Sequence, residues 1–209
     1  MTQKRRKNNM KDSLIIIAFF AVGLFLGIYD FLPEIMINNS YSTYALYLLL
    51  FLVGISMGAD RKTWLLLKNK GKQLLFVPAA ITAGSLAGAG AVSVFLPEIS
   101  LKEAAAVGAG FGYYSLSSII IAEIHSDLLG VTALLSNISR EIITLALTPF
   151  FVKYFGPLSS VASGGATAMD TTLPVIAKFS GKEIAAVALF SGFVLTVLTP
   201  FAVTLILNF

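Results

Sequence analysis

The stretch IAAVALFSGFVLTVLTPFAVTLIL, residues 184–207, contains no charged side chain. About 20 apolar residues in a helix cross the hydrocarbon core of a bilayer. The stretch does not alternate polar with apolar residues, so it does not read as a barrel strand. In hydrocarbon only helices and closed barrels satisfy every backbone group. It therefore reads as a transmembrane helix, and similar stretches recur along the whole chain. They set the fold class: an all-α, polytopic transmembrane helical bundle with six to seven membrane segments.

Composition agrees. Of 209 residues, 56% are hydrophobic and 12% charged, with a mean hydropathy of +0.84. A soluble domain carries roughly 25% charged residues, so the charge here is too sparse to cover a soluble surface. The net charge of +4 is unevenly placed. Lys4, Arg5, Arg6, Lys7 and Lys11 precede the first apolar run, and Arg61, Lys62, Lys68, Lys70 and Lys72 follow the second. Basic residues flanking hydrophobic runs fit the positive-inside rule rather than a nucleic-acid-binding face. Residues 1–12 are expected to be a basic cytoplasmic tail. Residues 13–209 are expected to form one transmembrane transporter domain in the cell (plasma) membrane, surrounded by lipid. The start resembles a signal peptide, but everything after it is equally membrane-like, and it reads as a retained first helix.

Six segments precede residue 184. The first covers Ser13–Tyr29 and the second Tyr44–Ala59, carrying Gly23/Gly27 and Gly54/Gly58 at the four-residue spacing that permits close helix packing. The third, Leu74–Leu96, is crowded with alanine and glycine. The fourth, Glu103–Ile124, begins with Gly108, Gly110 and Gly112 and continues into Tyr113, Tyr114, Ser115, Ser117 and Ser118. The fifth is Leu128–Val152. The sixth, Val161–Phe179, contains SGGATAMDTTLP at residues 163–174. Glycine, threonine and proline all weaken a helix. Segments four and six are therefore the two expected to be broken or re-entrant.

The second half also echoes itself. Leu147-Thr148-Pro149-Phe150 returns as Leu198-Thr199-Pro200-Phe201, and Ser139-Arg140-Glu141-Ile142 as Gly181-Lys182-Glu183-Ile184. The polar run Gly110–Ser118 has a counterpart in Gly165–Thr172. Chance recurrence of short membrane words is the plain reading, and a duplicated transporter element is the functional one. Transporters built from repeats place their sites where helices are interrupted near the midplane.

Ionisable residues within such segments are costly and mark substrate or ion pathways. Asp170 is the sharpest candidate, with Thr167 and Thr171 beside it; the plain alternative is a carboxylate in a surface turn over Ser159–Gly165. Glu123 ends segment four, near Asp127 and His125. Asn137, Arg140 and Glu141 interrupt an otherwise apolar segment. Arg140 and Glu141 are adjacent and cannot face each other on a helix, so each needs another partner, and Arg140 with Asp170 is one pairing to test. Tyr113 and Tyr114 could line a route or pack. Asp30 and Asp60 stand near helix ends, where a cap is the plain reading. A single histidine and no cysteine leave little to hold a metal. His125 could still gate transport by titrating near neutral pH. No Walker loop, G-x-S-x-G elbow or H-E-x-x-H pair is present. Neither an enzyme nor a cofactor is expected, and active transport would draw on an ion gradient.

The polar membrane words resemble the lysine exporter family of bacteria and archaea. The similar stretches are residues 51–55 (FLVGI), 110–117 (GFGYYSLS), 135–141 (LSNISRE) and 164–174 (GGATAMDTTLP). The resemblance implies a secondary transporter exporting L-lysine and its analogue thialysine by exchange with protons. It implies acidic residues acting within the membrane, with Asp60 and Asp30 as further candidates beside Asp170 and Glu123. The chain resembles the later two thirds of full-length members. The remaining helices are expected from a separate small membrane subunit or from a homodimer. The alternatives are a carrier of another small metabolite or ion, and a non-transporting membrane subunit.

Overall fold

The computed structural model describes residues 74–209, together with Ala18, Val22, Phe25, Leu26, Tyr29, Leu48, Phe51 and Ile55. The basic tail, Asp30, Asp60 and most of the first two expected segments lie outside the described residues.

Among the described residues, three helices are long and apolar enough to cross a membrane: α1 (Phe76–Ser93), α4 (Asp127–Phe155) and α7 (Lys182–Asn208). At about 1.5 Å per residue they measure roughly 27, 44 and 41 Å. The protein is an all-α polytopic membrane bundle, and large apolar side chains such as Phe76, Leu128, Phe150 and Phe201 cover its outer surface. α7 is the most central of the three. Its buried residues include Ala185, Ala188, Gly192, Leu195, Thr199 and Val203, which form one continuous stripe of largely small side chains. Such stripes let helices approach closely in lipid.

Between the long helices lie two pairs of short ones: α2 (Leu101–Gly108) with α3 (Tyr114–Ile124), and α5 (Leu158–Gly164) with α6 (Leu173–Ser180). The last pair is joined by a single 3-10 turn, Gly165–Met169. Local chemistry starts and stops each helix. Ser100 and Glu103 form a reciprocal capping box at the start of α2. Ser126 caps α4 through the Leu129 amide at 3.3 Å. Pro174 falls in the first turn of α6, where its missing N–H costs nothing.

Both short pairs are hairpins. Glu103, in the first turn of α2, meets His125, just past the end of α3, at 2.7 Å. Ser160, near the start of α5, meets Ser180, the last residue of α6, through their hydroxyls at 2.8 Å. Segments four and six therefore turn back and do not cross. Of Ser159–Gly165, which the sequence left open as a surface turn, residues 159–164 belong to helix α5 and Gly165 begins the 3-10 turn. The depth of the hairpins follows from their neighbours. A methyl group on Gly108 would press on Ser85 in the middle of α1. One on Gly192, in the middle of α7, would press on Ala166 and Met169 at the turn of the second hairpin. Both hairpins reach the middle of the long helices.

The described chain is thus a hairpin followed by a long helix, twice. Because α4 runs the full depth between them, the two hairpins enter from opposite faces. This inverted arrangement accounts for two of the three sequence echoes. Gly110–Ser118 and Gly165–Thr172 are the two hairpin tips. Thr148 and Thr199 are both fully buried, and each hydroxyl bonds the carbonyl four residues back, of Thr144 at 2.6 Å and Leu195 at 2.8 Å, just before a helix-internal proline. The third echo is corrected. Arg140 and Glu141 lie in the middle of α4, whereas Lys182 and Glu183 start α7, so those words occupy different depths.

The chain contains no cysteine, which makes single-cysteine labelling clean. A membrane-impermeant maleimide is expected to reach Lys102→Cys and Ser126→Cys from one face and Ser159→Cys and Gly181→Cys from the other. Labelling of positions 102 and 126 from opposite faces would refute the hairpin.

Candidate functional site

The two hairpin tips meet. The first tip, residues 109–113, passes through the left-handed region at Phe111 (φ 48°) and Gly112 (φ 99°). For a bulky residue such as Phe111 that conformation costs about 1–3 kcal/mol and persists only when its surroundings fix it. The Phe111 ring is fully buried, and its carbonyl accepts the Ala166 amide of the second tip at 2.8 Å. Gly165, at φ 63°, has no room for a side chain, because a Cβ there would overlap the Phe111 carbonyl oxygen.

Two polar residues of α4, one turn apart, hold these tips. The Asn137 carboxamide accepts the Gly112 amide at 2.8 Å and donates to the carbonyls of Val107 at 3.3 Å and Ala133 at 2.9 Å. It pins the first hairpin where its backbone leaves the helix. The Arg140 guanidinium donates to the carbonyls of Ser163 and Ala162, each at 2.8 Å, and to the Ser85 hydroxyl of α1 at 3.0 Å. It caps the carbonyl end of α5, where a cation also complements the helix dipole. Arg140 therefore spends these donors on two backbone carbonyls and the Ser85 hydroxyl, and the Arg140–Asp170 pairing considered from the sequence is not formed. The second tip satisfies itself. Thr167 donates to the Gly164 carbonyl at 2.9 Å, and Thr172 donates to the Thr167 carbonyl at 2.9 Å.

On one side of the tip contact lies a polar pocket of about 160 Å³. Tyr113, Tyr114, Glu141, Thr167, Asp170 and Thr171, all candidates from the sequence, line it together. Asp170 accepts from both the amide and the hydroxyl of Thr171. Glu141 shares the pocket with this pair. Ser115, Met169 and Thr196 also line it, with Gly112 and Ala166 of the tips, and were not singled out as site residues beforehand. Ser115 belongs to a visibly polar run. Thr196 sits in the most apolar of the three membrane-length helices among the described residues, and nothing local marks it.

The remaining candidates fall elsewhere. Glu123 is exposed at the end of α3, away from the tip. His125 pairs with Glu103 at the hairpin base. Asn137 and Arg140 face a second, larger cavity of about 860 Å³, mostly apolar, bounded by α1, α2, α4 and α5. Among the described residues, no group of His, Asp or Glu is placed to hold a metal ion. The pocket instead offers two carboxylates with hydroxyl and phenol neighbours at mid-depth. That is an arrangement for a small cation or for protons.

The profile of a family described as lysine exporter LysO matches residues 17–207. A Haemophilus influenzae protein whose name proposes a lysine exporter is 36% identical over 165 residues, 78% of this chain and 82% of that protein. The Escherichia coli (strain K12) protein named lysine exporter LysO is 33% identical over 190 residues, 89% of this chain and 60% of that protein. This chain thus aligns with less than two thirds of the Escherichia coli relative's length. No solved structure matches the chain.

Two substitutions test the tip geometry by thermal unfolding in detergent. Asn137→Ala strands the buried Gly112 amide and is expected to cost about 1–3 kcal/mol. Gly165→Ala is expected to destabilise more than Gly181→Ala. Both glycines have positive φ, but only Gly165 faces an occupied space. Equal losses would mean that the tip contact contributes nothing.

Proposed function

From the premise that this chain belongs to the lysine exporter family, we propose that it is a secondary transporter exporting L-lysine, and thialysine, in exchange for protons. The family is one of transporters, not enzymes. The observation that carries the reading is the shared pocket of Asp170 and Glu141 at the meeting of two hairpin tips. Inverted repeats with interrupted helices at mid-depth are a recurrent transporter plan.

Two carboxylates at this depth require a counter-charge. A lysine ammonium supplies it on the way out, and protons supply it on the return. Thr171 orients Asp170, and Thr167, Tyr113 and Tyr114 wall the pocket. Each hairpin opens toward a different face, so movement at one tip and then the other exposes the pocket alternately. A purely structural subunit would have no use for paired carboxylates here. A carrier of some other small cation remains the second reading, and the same pocket would suit it.

In this reading the basic loop before α1, and Lys178 and Lys182 at the base of the second hairpin, mark that face as cytoplasmic by the positive-inside rule. The amino-terminal tail then lies inside, and the end of α7 on the opposite side. The Escherichia coli relative extends well beyond the aligned part. In this reading a small membrane subunit or a second copy provides the further helices. Asp30 and Asp60 stay candidates on the strength of the family resemblance alone.

The test is efflux from sealed vesicles loaded with labelled lysine under an imposed pH gradient. The wild type should release lysine in a gradient-dependent way. Asp170→Asn and Glu141→Gln should each lower the rate at least about tenfold. If no lysine moves, with or without a candidate partner chain, the assignment fails. Unchanged efflux in both variants would dismiss the pocket.

A further inference from the structure

We infer that Arg140 receives the α-carboxylate of the transported amino acid, so that the site reads the backbone of its substrate as well as its side chain. This rests on the reading of Asp170 and Glu141 as the cation-binding pair.

Arg140 and Glu141 are consecutive on α4 and face different spaces, the large cavity and the acidic pocket. The guanidinium nevertheless lies at the tip contact between them. A methyl group built on Gly165 would sit 3.1 Å from its Nη2 and also against the Phe111 carbonyl. The next residue, Ala166, already lines the acidic pocket.

A guanidinium has five N–H donors. Three bonds are made, to Ser163, Ala162 and the Ser85 hydroxyl, all neutral acceptors. Among the described residues no carboxylate lies within ion-pair distance of Arg140. A cation at mid-depth facing a roomy cavity with only neutral partners is poorly compensated. A carboxylate fits the remaining donors in the planar fork geometry that distinguishes arginine. Charge matches as well. Free lysine carries two ammonium groups and one carboxylate, while the tips gather two carboxylates and one guanidinium. The closed tip contact leaves no space for a ligand, so the amino acid bridges the two sides when the tips part, with its carboxylate on Arg140 and its ammonium groups toward Asp170 and Glu141.

Capping α5 is also a sufficient structural role for Arg140, so the test must separate the two. In the vesicle assay, cadaverine (lysine without its carboxylate) and lysinamide (its carboxylate neutralised) compete with labelled lysine. On wild-type protein both should compete at least about tenfold more weakly than lysine. Arg140→Gln should bring lysine and cadaverine within about twofold of each other, whereas Arg140→Lys, which keeps the charge, should retain part of the preference. Wild-type protein that accepts cadaverine as well as lysine overturns the inference, whether or not any variant folds. So does an Arg140→Gln variant that is slower but equally selective, which is the signature of a cap alone. If the wild type moves no lysine at all, the transport reading itself falls. If it moves lysine without regard to the carboxylate, only the role of Arg140 falls.

Discussion

A helix broken inside a bilayer leaves amide and carbonyl groups that no water can take, and each costs several kcal/mol if left alone. The fold is arranged around that constraint. Asn137 and Arg140 stand one turn apart on α4 and each takes the freed backbone of one hairpin. The Ala166 amide and Phe111 carbonyl then satisfy each other across the tips. The left-handed Phe111 and the side-chain-free Gly165 follow from the same contact, since the carbonyl must point where the other tip arrives. Most of the polarity in α4 is thus spent on backbone. Glu141 is the member of its central polar group that faces the acidic pocket.

The three long helices divide the work. α1 presents small residues to the first hairpin, and its Ser85 reaches Arg140. α4 anchors both tips. α7 packs against both with Gly192 and Thr199 and lends Thr196 to the pocket, but brings no charge to it. The inverted repeat is therefore a repeat of shape more than of chemistry. Its two hairpins have matching tips and bases, yet one base closes with a histidine–glutamate pair and the other with two serines.

Much of this was legible in the sequence because membranes penalise exceptions. Glycine, threonine and proline at 163–174, and glycine and serine at 108–118, could only mean interrupted helices. The same penalty marked Asp170, Glu141 and the two tyrosines, which do converge. What the sequence could not carry was direction. Whether an interrupted segment crosses or returns depends on contacts such as Glu103 with His125, which are 22 residues apart. That Arg140 faces backbone rather than Asp170 depends on the angle at which α5 arrives. Residues 139–142 and 181–184 looked equivalent because four-letter words carry no depth. Thr196 stayed hidden because a threonine in an apolar helix ordinarily bonds its own backbone.

Consecutive residues on a helix point about 100° apart, and here that angle has a consequence. Glu141 faces the acidic pocket, Arg140 holds the second hairpin, and Asn137 holds the first. The carboxylate that needs neutralising is one residue from one anchor and one helical turn from the other. In the proposed exchange, each change of counter-charge on Glu141 acts on the stretch of α4 that sets both tips. Occupancy of the pocket and position of the hairpins are then linked through a few rigidly spaced side chains, with no long pathway required.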